Sequence, residues 1–175
     1  SLLPADNLRV RAWRARAPLR TASQRMDDAI IAAGLGVFSN QAMVDLYSAA
    51  YDETDPEDRS GKAFMQLRSA YAGETGSDRM RAIVALWGEK TPDSVDAYGR
   101  LVLTARAVAL INPESDAADE ADRAVASLLS AGLTDHAVSW FTHVSEGSVA
   151  WAQLALAAPQ LVRTVDGGDI TGLDE

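Results

Sequence analysis

Apolar residues recur every three or four positions along most of this chain, as they do on the buried face of an α-helix. Met80, Ile83 and Trp87 form one such row, and Val125 and Leu128 belong to another. No segment shows the sustained alternation that would favour a β-strand. Ala, the best intrinsic helix former, occurs 32 times. We therefore predict an all-α fold of about nine helices joined by short connections.

Capping residues predict where these helices begin and end. Thr21 with Gln24 fits a capping box, in which each side chain binds the other residue's backbone N–H group. Asp55, Thr91 and Asn112 each stand directly before a proline, which is tolerated in a first helical turn. Further starts are predicted at Ser39, Ser77, Ser115, Thr134 and Ser148, and ends at Gly34, Gly73 and Gly132.

Three of these starts are evenly spaced. Ser39, Ser77 and Ser115 lie 38 residues apart, which is a typical length for a repeated helical hairpin. We predict one all-α domain over residues 1–160, in which residues 39–152 form three 38-residue α-hairpins. These would stack as a short α-solenoid with the geometry of tetratricopeptide or Sel1 arrays. The alternative is an irregular helical bundle, and residues 161–175 are predicted to be a tail or linker.

The segment from Pro92 to Ile111 is apolar on two faces, so we expect it to be buried between layers of other helices. Arg100 and Arg106 lie on this segment, and a buried arginine requires an acidic partner. We therefore expect both to pair with carboxylates; the alternative is that they line an anion pocket. The four tryptophans are expected to pack in the core or between helices: Trp13, Trp87, Trp140 and Trp151.

Charge is distributed unevenly. The chain carries a formal net charge of −9, yet residues 1–26 carry six arginines against one aspartate. Two hypotheses follow for this basic helical segment: it docks through Trp13 on the acidic remainder of the domain, or it contacts a partner or an anionic surface. The residues that would make the second contact are Arg9, Arg11, Trp13, Arg14 and Arg16.

The inventory of reactive side chains is small. The chain has no Cys and two His, which excludes thiolate sites and makes a zinc site improbable, so we predict no cofactor and no metal. Asp135, Ser139 and His143 lie in one row at successive i,i+4 positions, an order in which the acid cannot orient the imidazole. Phosphate-binding glycine motifs are missing, and an acidic chain repels nucleic acid.

These observations favour a non-catalytic helical scaffold or protein-interaction domain, whose partner is another protein or a flanking domain of the same chain. The alternative is a small-molecule-binding or enzymatic domain that uses carboxylates such as Asp27, Asp28, Asp93 or Asp96 in a cleft. No apolar run is long enough to span a bilayer, so we expect a soluble protein of the cytoplasm or periplasm. The composition and the missing initiator Met suggest a fragment of a larger bacterial protein.

Overall fold

The computed structural model describes residues 7–88, 94–113 and 118–163, and these are all helical or connecting segments. The prediction of an all-α fold is confirmed, with about ten helices. The α-helices of the described residues are α1 Leu8–Arg14, α2 Ala22–Gly34, α3 Asn40–Glu53, α4 Ala63–Ala72, α5 Gly76–Trp87, α6 Val95–Val108, α7 Ala121–Ser130, α8 Thr134–Val138, α9 Val149–Ala157 and α10 Pro159–Arg163.

Local capping chemistry sets several helix starts as predicted. Thr21 and Gln24 form the complete capping box of α2, and Ser39 and Ser148 cap α3 and α9 through their side-chain oxygens. The start predicted at Ser77 is wrong, because the Thr75 hydroxyl accepts the N–H of Asp78 and begins α5 two residues earlier.

Other predicted starts differ from the structure or fall outside it. Asp55 opens only a short 3-10 turn, Pro56–Asp58, and α4 begins at Ala63. Thr134 does begin a helix, but α8 has only five residues. Thr91 and Ser115 lie outside the described residues. The second helices of the predicted hairpins are therefore unequal in length and position.

Glycines of positive φ follow three of the described helices, α2, α5 and α7. Gly132 has φ +71°, as predicted, and Leu133 donates its N–H to Leu128 O across the turn. Helix α2 ends at Gly34, as predicted, but the left-handed turn is made two residues later by Gly36, with φ +73°. Gly34 remains helical, and a Cβ there would lie 2.1 Å from the carbonyl oxygen of Val95. Its missing side chain lets α6 approach α2.

Helix α6 is the centre of the described fold. It packs most extensively against α2 and α7 and also contacts α3, α4 and α5. Val102 and Leu103 face an N-terminal core cluster with α2 and α3, whereas Leu101 and Val108 face a C-terminal cluster with α5 and α7. The prediction that this segment is buried between two layers is therefore confirmed. A Cβ at Gly99 would lie 2.0 Å from Ile30 O, so glycine permits the close α2–α6 crossing.

The predicted solenoid is not confirmed. In a linear array, each unit contacts chiefly its neighbours. Here the most extensive partner of α6 is α2, which lies outside the three units predicted over residues 39–152. Five of the described helices contact α6, because both of its apolar faces are covered and Gly99 allows α2 to pack closely. Among the described residues, no helix is long and apolar enough to cross a membrane.

Candidate functional site

The basic N-terminal segment docks on α2 through a single buried carboxylate. Asp28 is 4% exposed, and its Oδ1 lies 3.0 Å from Arg11 Nε. Its Oδ2 lies 3.2 Å from Arg14 Nε and 3.0 Å from Arg20 Nη1. Arg11 and Arg20 also donate to the backbone oxygens of Asp27 and Gln24. These contacts occupy two of the arginines that were predicted as interaction residues.

The remaining predicted interaction residues lie apart from this cluster. Trp13 is 74% exposed, so the prediction that its ring docks the segment is wrong; Ala15, fully buried, makes the apolar contact instead. Arg16 donates from Nη2 to Val37 O at 2.6 Å and lies over the ring of Phe38. Arg9 is exposed on α1. Helical spacing puts Trp13 on an apolar stripe with Val10 and Ala17, but in the fold its ring is exposed.

An aromatic groove runs between α3 and α4 and has a volume of about 470 Å³. Tyr47 and Phe64 form its buried base. Tyr51 and Tyr71 are half-buried at its sides, and the rings of Tyr51 and Phe64 meet edge to face at 6.0 Å. The other lining residues are Val44, Ser48, Asp52, Leu67, Arg68 and Ala72.

Two arginines cover the Tyr51 ring. The guanidinium carbon of Arg59 lies 3.9 Å from the ring centroid, and that of Arg68 lies 5.1 Å from it. Arg59 is held in place by a 2.9 Å hydrogen bond from Nε to Thr54 O. Arg68 is exposed, and among the described residues no carboxylate oxygen lies within ion-pair distance of it. The rim therefore presents a cation beside an aromatic surface.

Tyr47, at the base of the groove, is held in its neutral form. Burial raises the pKa of its phenol well above the ordinary value, and the Asp27 carboxylate raises it further. Arg100 opposes these effects, while Asp96 adds to them. Burial also raises the pKa of Tyr71, against an opposing effect of Arg106. Both phenols remain neutral hydrogen-bonding groups at neutral pH.

Three of the four carboxylates proposed for an enzymatic cleft are described by the structure, and none of the three lines this groove. Asp28 lies in the arginine cluster, and Asp96 Oδ2 accepts from Arg100 Nε at 2.8 Å. Asp27 is exposed on α2, and Asp93 lies outside the described residues. Asp52 is the one carboxylate among the described residues that line the groove.

Two expectations about individual arginines and tryptophans are met in part. Arg100 has its predicted carboxylate partner. Arg106 is exposed and donates to the Gln41 amide oxygen, and its predicted ion pair is not found among the described residues. Trp87 and Trp140 are buried in the core, as expected. Trp87 donates from Nε1 to the buried hydroxyl of Thr104 at 2.7 Å.

The row of Asp135, Ser139 and His143 makes no catalytic arrangement. The Ser139 hydroxyl donates to the carbonyl oxygen of His136 at 2.7 Å, within its own turn. Across the described ranges, no three acidic or histidine side chains are placed to hold a metal ion.

The aromatic groove was missed by the sequence analysis, although its signal is present. Three of the four tyrosines line it, and Tyr47 and Tyr51 are spaced at i,i+4 on one helix. Which second helix faces this pair depends on the tertiary fold. Comparisons of the chain with protein-family models, with curated proteins and with solved structures found no match.

Proposed function

We propose that this protein is a non-catalytic helical interaction domain that binds a short peptide segment of a partner in the aromatic groove. The observation that carries the proposal is the groove itself, with four aromatic side chains from two helices around a concave surface. Aromatic residues are enriched at binding hot spots, since they bury a large area at low conformational cost. The single lining carboxylate, Asp52, gives little support to an acid–base enzyme.

The charges at the rim define the chemistry of the partner. Arg68 is exposed and has no carboxylate partner among the described residues, while its guanidinium lies over Tyr51. A bound segment that places an apolar or aromatic anchor against Tyr51 and Tyr71 brings its next residues to Arg68. An acidic residue beside the anchor would then complete an ion pair. The partner segment therefore carries an apolar or aromatic anchor residue with Asp or Glu beside it.

Selection of random peptides displayed on phage tests this proposal. We expect enriched sequences to share an apolar or aromatic anchor with an adjacent acid, and to bind the purified protein by calorimetry. Ser48→Arg fills the groove from an exposed position and should abolish binding. Arg68→Glu should weaken binding by roughly tenfold or more, because it replaces an attraction by a repulsion.

Ser145→Arg is the matched control, since Ser145 is exposed in the loop before α9 and does not line the groove. It should bind like the unmodified protein. Selected peptides that bind the Ser48→Arg variant with undiminished affinity would contradict the proposal, as would a selection that enriches no common sequence.

A further inference from the structure

A second groove lies where α3 begins, and its lining differs in kind from the aromatic groove. It has a volume of about 650 Å³ and is bounded by the loop after α2, the first turn of α3, one face of α6 and the end of α7. The groove contains two arginines, Arg16 and Arg106, and the buried amide of Asn40. We call it the α3 N-terminal groove.

Neither arginine has an acidic partner among the described residues, although the chain carries a net charge of −9. Arg16 donates to Val37 O, and Arg106 donates from Nη1 to Gln41 Oε1 at 3.1 Å. Both are exposed, so their remaining N–H groups are accessible to a ligand. Elsewhere in the same protein, three arginines share the one carboxylate of Asp28.

The first turn of α3 adds backbone donors. The 14-residue helix begins at Asn40, and the Ser39 side chain and carbonyl accept the N–H groups of Ala42 and Met43. The N–H groups of Asn40 and Gln41 precede the first residue that can find an intrahelical acceptor. Together with the helix dipole, they favour a negatively charged group at this end.

The Asn40 side chain independently indicates a ligand that also donates a hydrogen bond. Asn40 is only 6% exposed, and its Nδ2 donates to Val102 O at 2.7 Å and to Leu103 O at 2.9 Å. These two carbonyls fix the orientation of the amide, because a flipped amide would bring its oxygen against them. The Oδ1 atom is buried and accepts no hydrogen bond in the structure. Asn40 lines the groove, and a ligand N–H or O–H group that displaces the atoms covering Oδ1 would satisfy this acceptor.

Part of the lining of the groove is apolar. Val37 and Tyr98 are exposed by 47% and 42% and line the groove together with the arginines. The groove thus has arginines and helix N–H groups that can bind an anion. It also has a hydrogen-bond acceptor for a ligand N–H or O–H group, and an apolar surface for a side chain. A peptide C-terminus with an apolar last residue presents the matching groups, because its carboxylate lies next to an amide N–H and a side chain.

We propose that the α3 N-terminal groove binds the C-terminal carboxylate of a peptide chain that ends in an apolar residue. The carboxylate pairs with Arg16 and Arg106 at the start of α3, the terminal amide N–H donates to Asn40 Oδ1, and the last side chain packs on Val37 and Tyr98. This inference uses none of the residues that line the aromatic groove and does not depend on the function proposed for that groove.

The test is a titration of the ¹⁵N-labelled protein with N-acetyl-alanyl-leucine as the free acid, followed by the backbone amide signals. We expect the signals of Asn40 and Gln41 to shift, with saturation at low millimolar concentration, ~1 mM. The corresponding carboxamide should bind at least roughly tenfold more weakly, since it lacks the charge. Arg106→Gln and Arg16→Gln should each weaken binding of the acid by a similar factor.

Arg81→Gln is the matched control, because Arg81 is exposed on α5 and does not line this groove. Equal affinity for the acid and the carboxamide would overturn the proposal, as would unchanged affinity in both arginine variants. Absence of any shift at ~5 mM acid would also overturn it. Inorganic phosphate is the remaining probe: if it shifts the same signals as strongly as the peptide acid, the groove binds oxyanions without recognising a peptide end, and the proposal is wrong.

Discussion

At the scale of single residues, burial separates side chains that the sequence presents as equivalent. Trp13 and Trp140 are both expected to pack in the core or between helices, yet Trp13 is 74% exposed and Trp140 is 1% exposed. Tyr47 is likewise distinguished by its surroundings, because burial and two carboxylates keep its phenol neutral. These differences in environment predict how each residue contributes to stability.

Trp13→Ala should change the free energy of unfolding by less than about 0.5 kcal/mol, since an exposed ring loses little contact with the protein. Trp140→Ala should cost about 3–5 kcal/mol, because it leaves a cavity in the core. Urea denaturation of the two variants measures both values. A loss of several kcal/mol for Trp13→Ala would show that the ring docks on the domain.

Tyr47 should make stability fall at alkaline pH. Its pKa is raised in the folded state above the ordinary value of 10.0, so the unfolded chain releases the phenol proton first. The contribution of the Tyr47 phenol to the free energy of unfolding is therefore fully present below about pH 10. Above that pH the free energy of unfolding falls by up to about 1.4 kcal/mol per pH unit.

Tyr47→Phe should remove this part of the alkaline decrease and leave that of Tyr71, whose pKa is also raised. Urea denaturation between pH 8 and about pH 11 gives the slopes of the two proteins. Identical slopes above pH 10 would contradict the role assigned to the Tyr47 phenol.

At the scale of elements, a few residues determine how neighbouring helices pack, either through ion pairs or through the lack of a side chain. Asp28 joins α1 and the following turn to α2 because its carboxylate forms ion pairs with three arginines and accepts hydrogen bonds from two of them, Arg11 and Arg20. The α2–α6 crossing depends on Gly34 and Gly99, where any side chain would meet the backbone of the other helix. In the first place one residue, and in the second place two, set the position of a helix.

Asp28→Asn should destabilise the protein by about 2–4 kcal/mol, because three guanidiniums lose their common anion; partial exposure of the arginines keeps the loss below that of a fully buried pair. Trypsin should then cleave more rapidly within α1. Urea denaturation and timed proteolysis measure the two effects. Asp45→Asn, an exposed position on α3, is the control and should change neither. Unchanged proteolysis in the Asp28→Asn variant would show that the cluster does not hold α1.

At the scale of the whole molecule, α6 integrates two core clusters, and α2 is its most extensive partner. A linear array over residues 39–152 would tolerate loss of what precedes it, since each unit contacts its neighbours. The observed packing makes α2 part of the central layer. The two arrangements therefore differ in how they respond to truncation.

Deletion of residues 1–38 should abolish cooperative unfolding, because it exposes the face of α6 that α2 covers. Deletion of residues 1–20 keeps the Thr21 capping box and α2, and should lower the melting temperature without loss of cooperativity. Thermal melts followed by circular dichroism distinguish the outcomes. A cooperative melt of the protein that lacks residues 1–38 would contradict the central role of α2 and would favour the linear array.

The sequence by itself determined the features that depend on neighbouring residues. Thr21, Ser39 and Ser148 cap helices because their hydroxyls reach N–H groups within three residues, and Gly132 ends a helix through its own backbone freedom. The two apolar faces of α6 likewise predicted its central position, because a helix with two such faces must be covered on both sides.

Only the tertiary structure decided which distant residues meet. The sequence showed six arginines in residues 1–26 but not that three of them share Asp28, and it placed Trp13 inside where the fold leaves it outside. The aromatic groove required α4 to face Tyr47 and Tyr51, and the α3 N-terminal groove required α6 to carry Arg106 to the start of α3. Spacing along a helix specifies a face, whereas the partner of that face depends on packing that optimises burial over the whole chain.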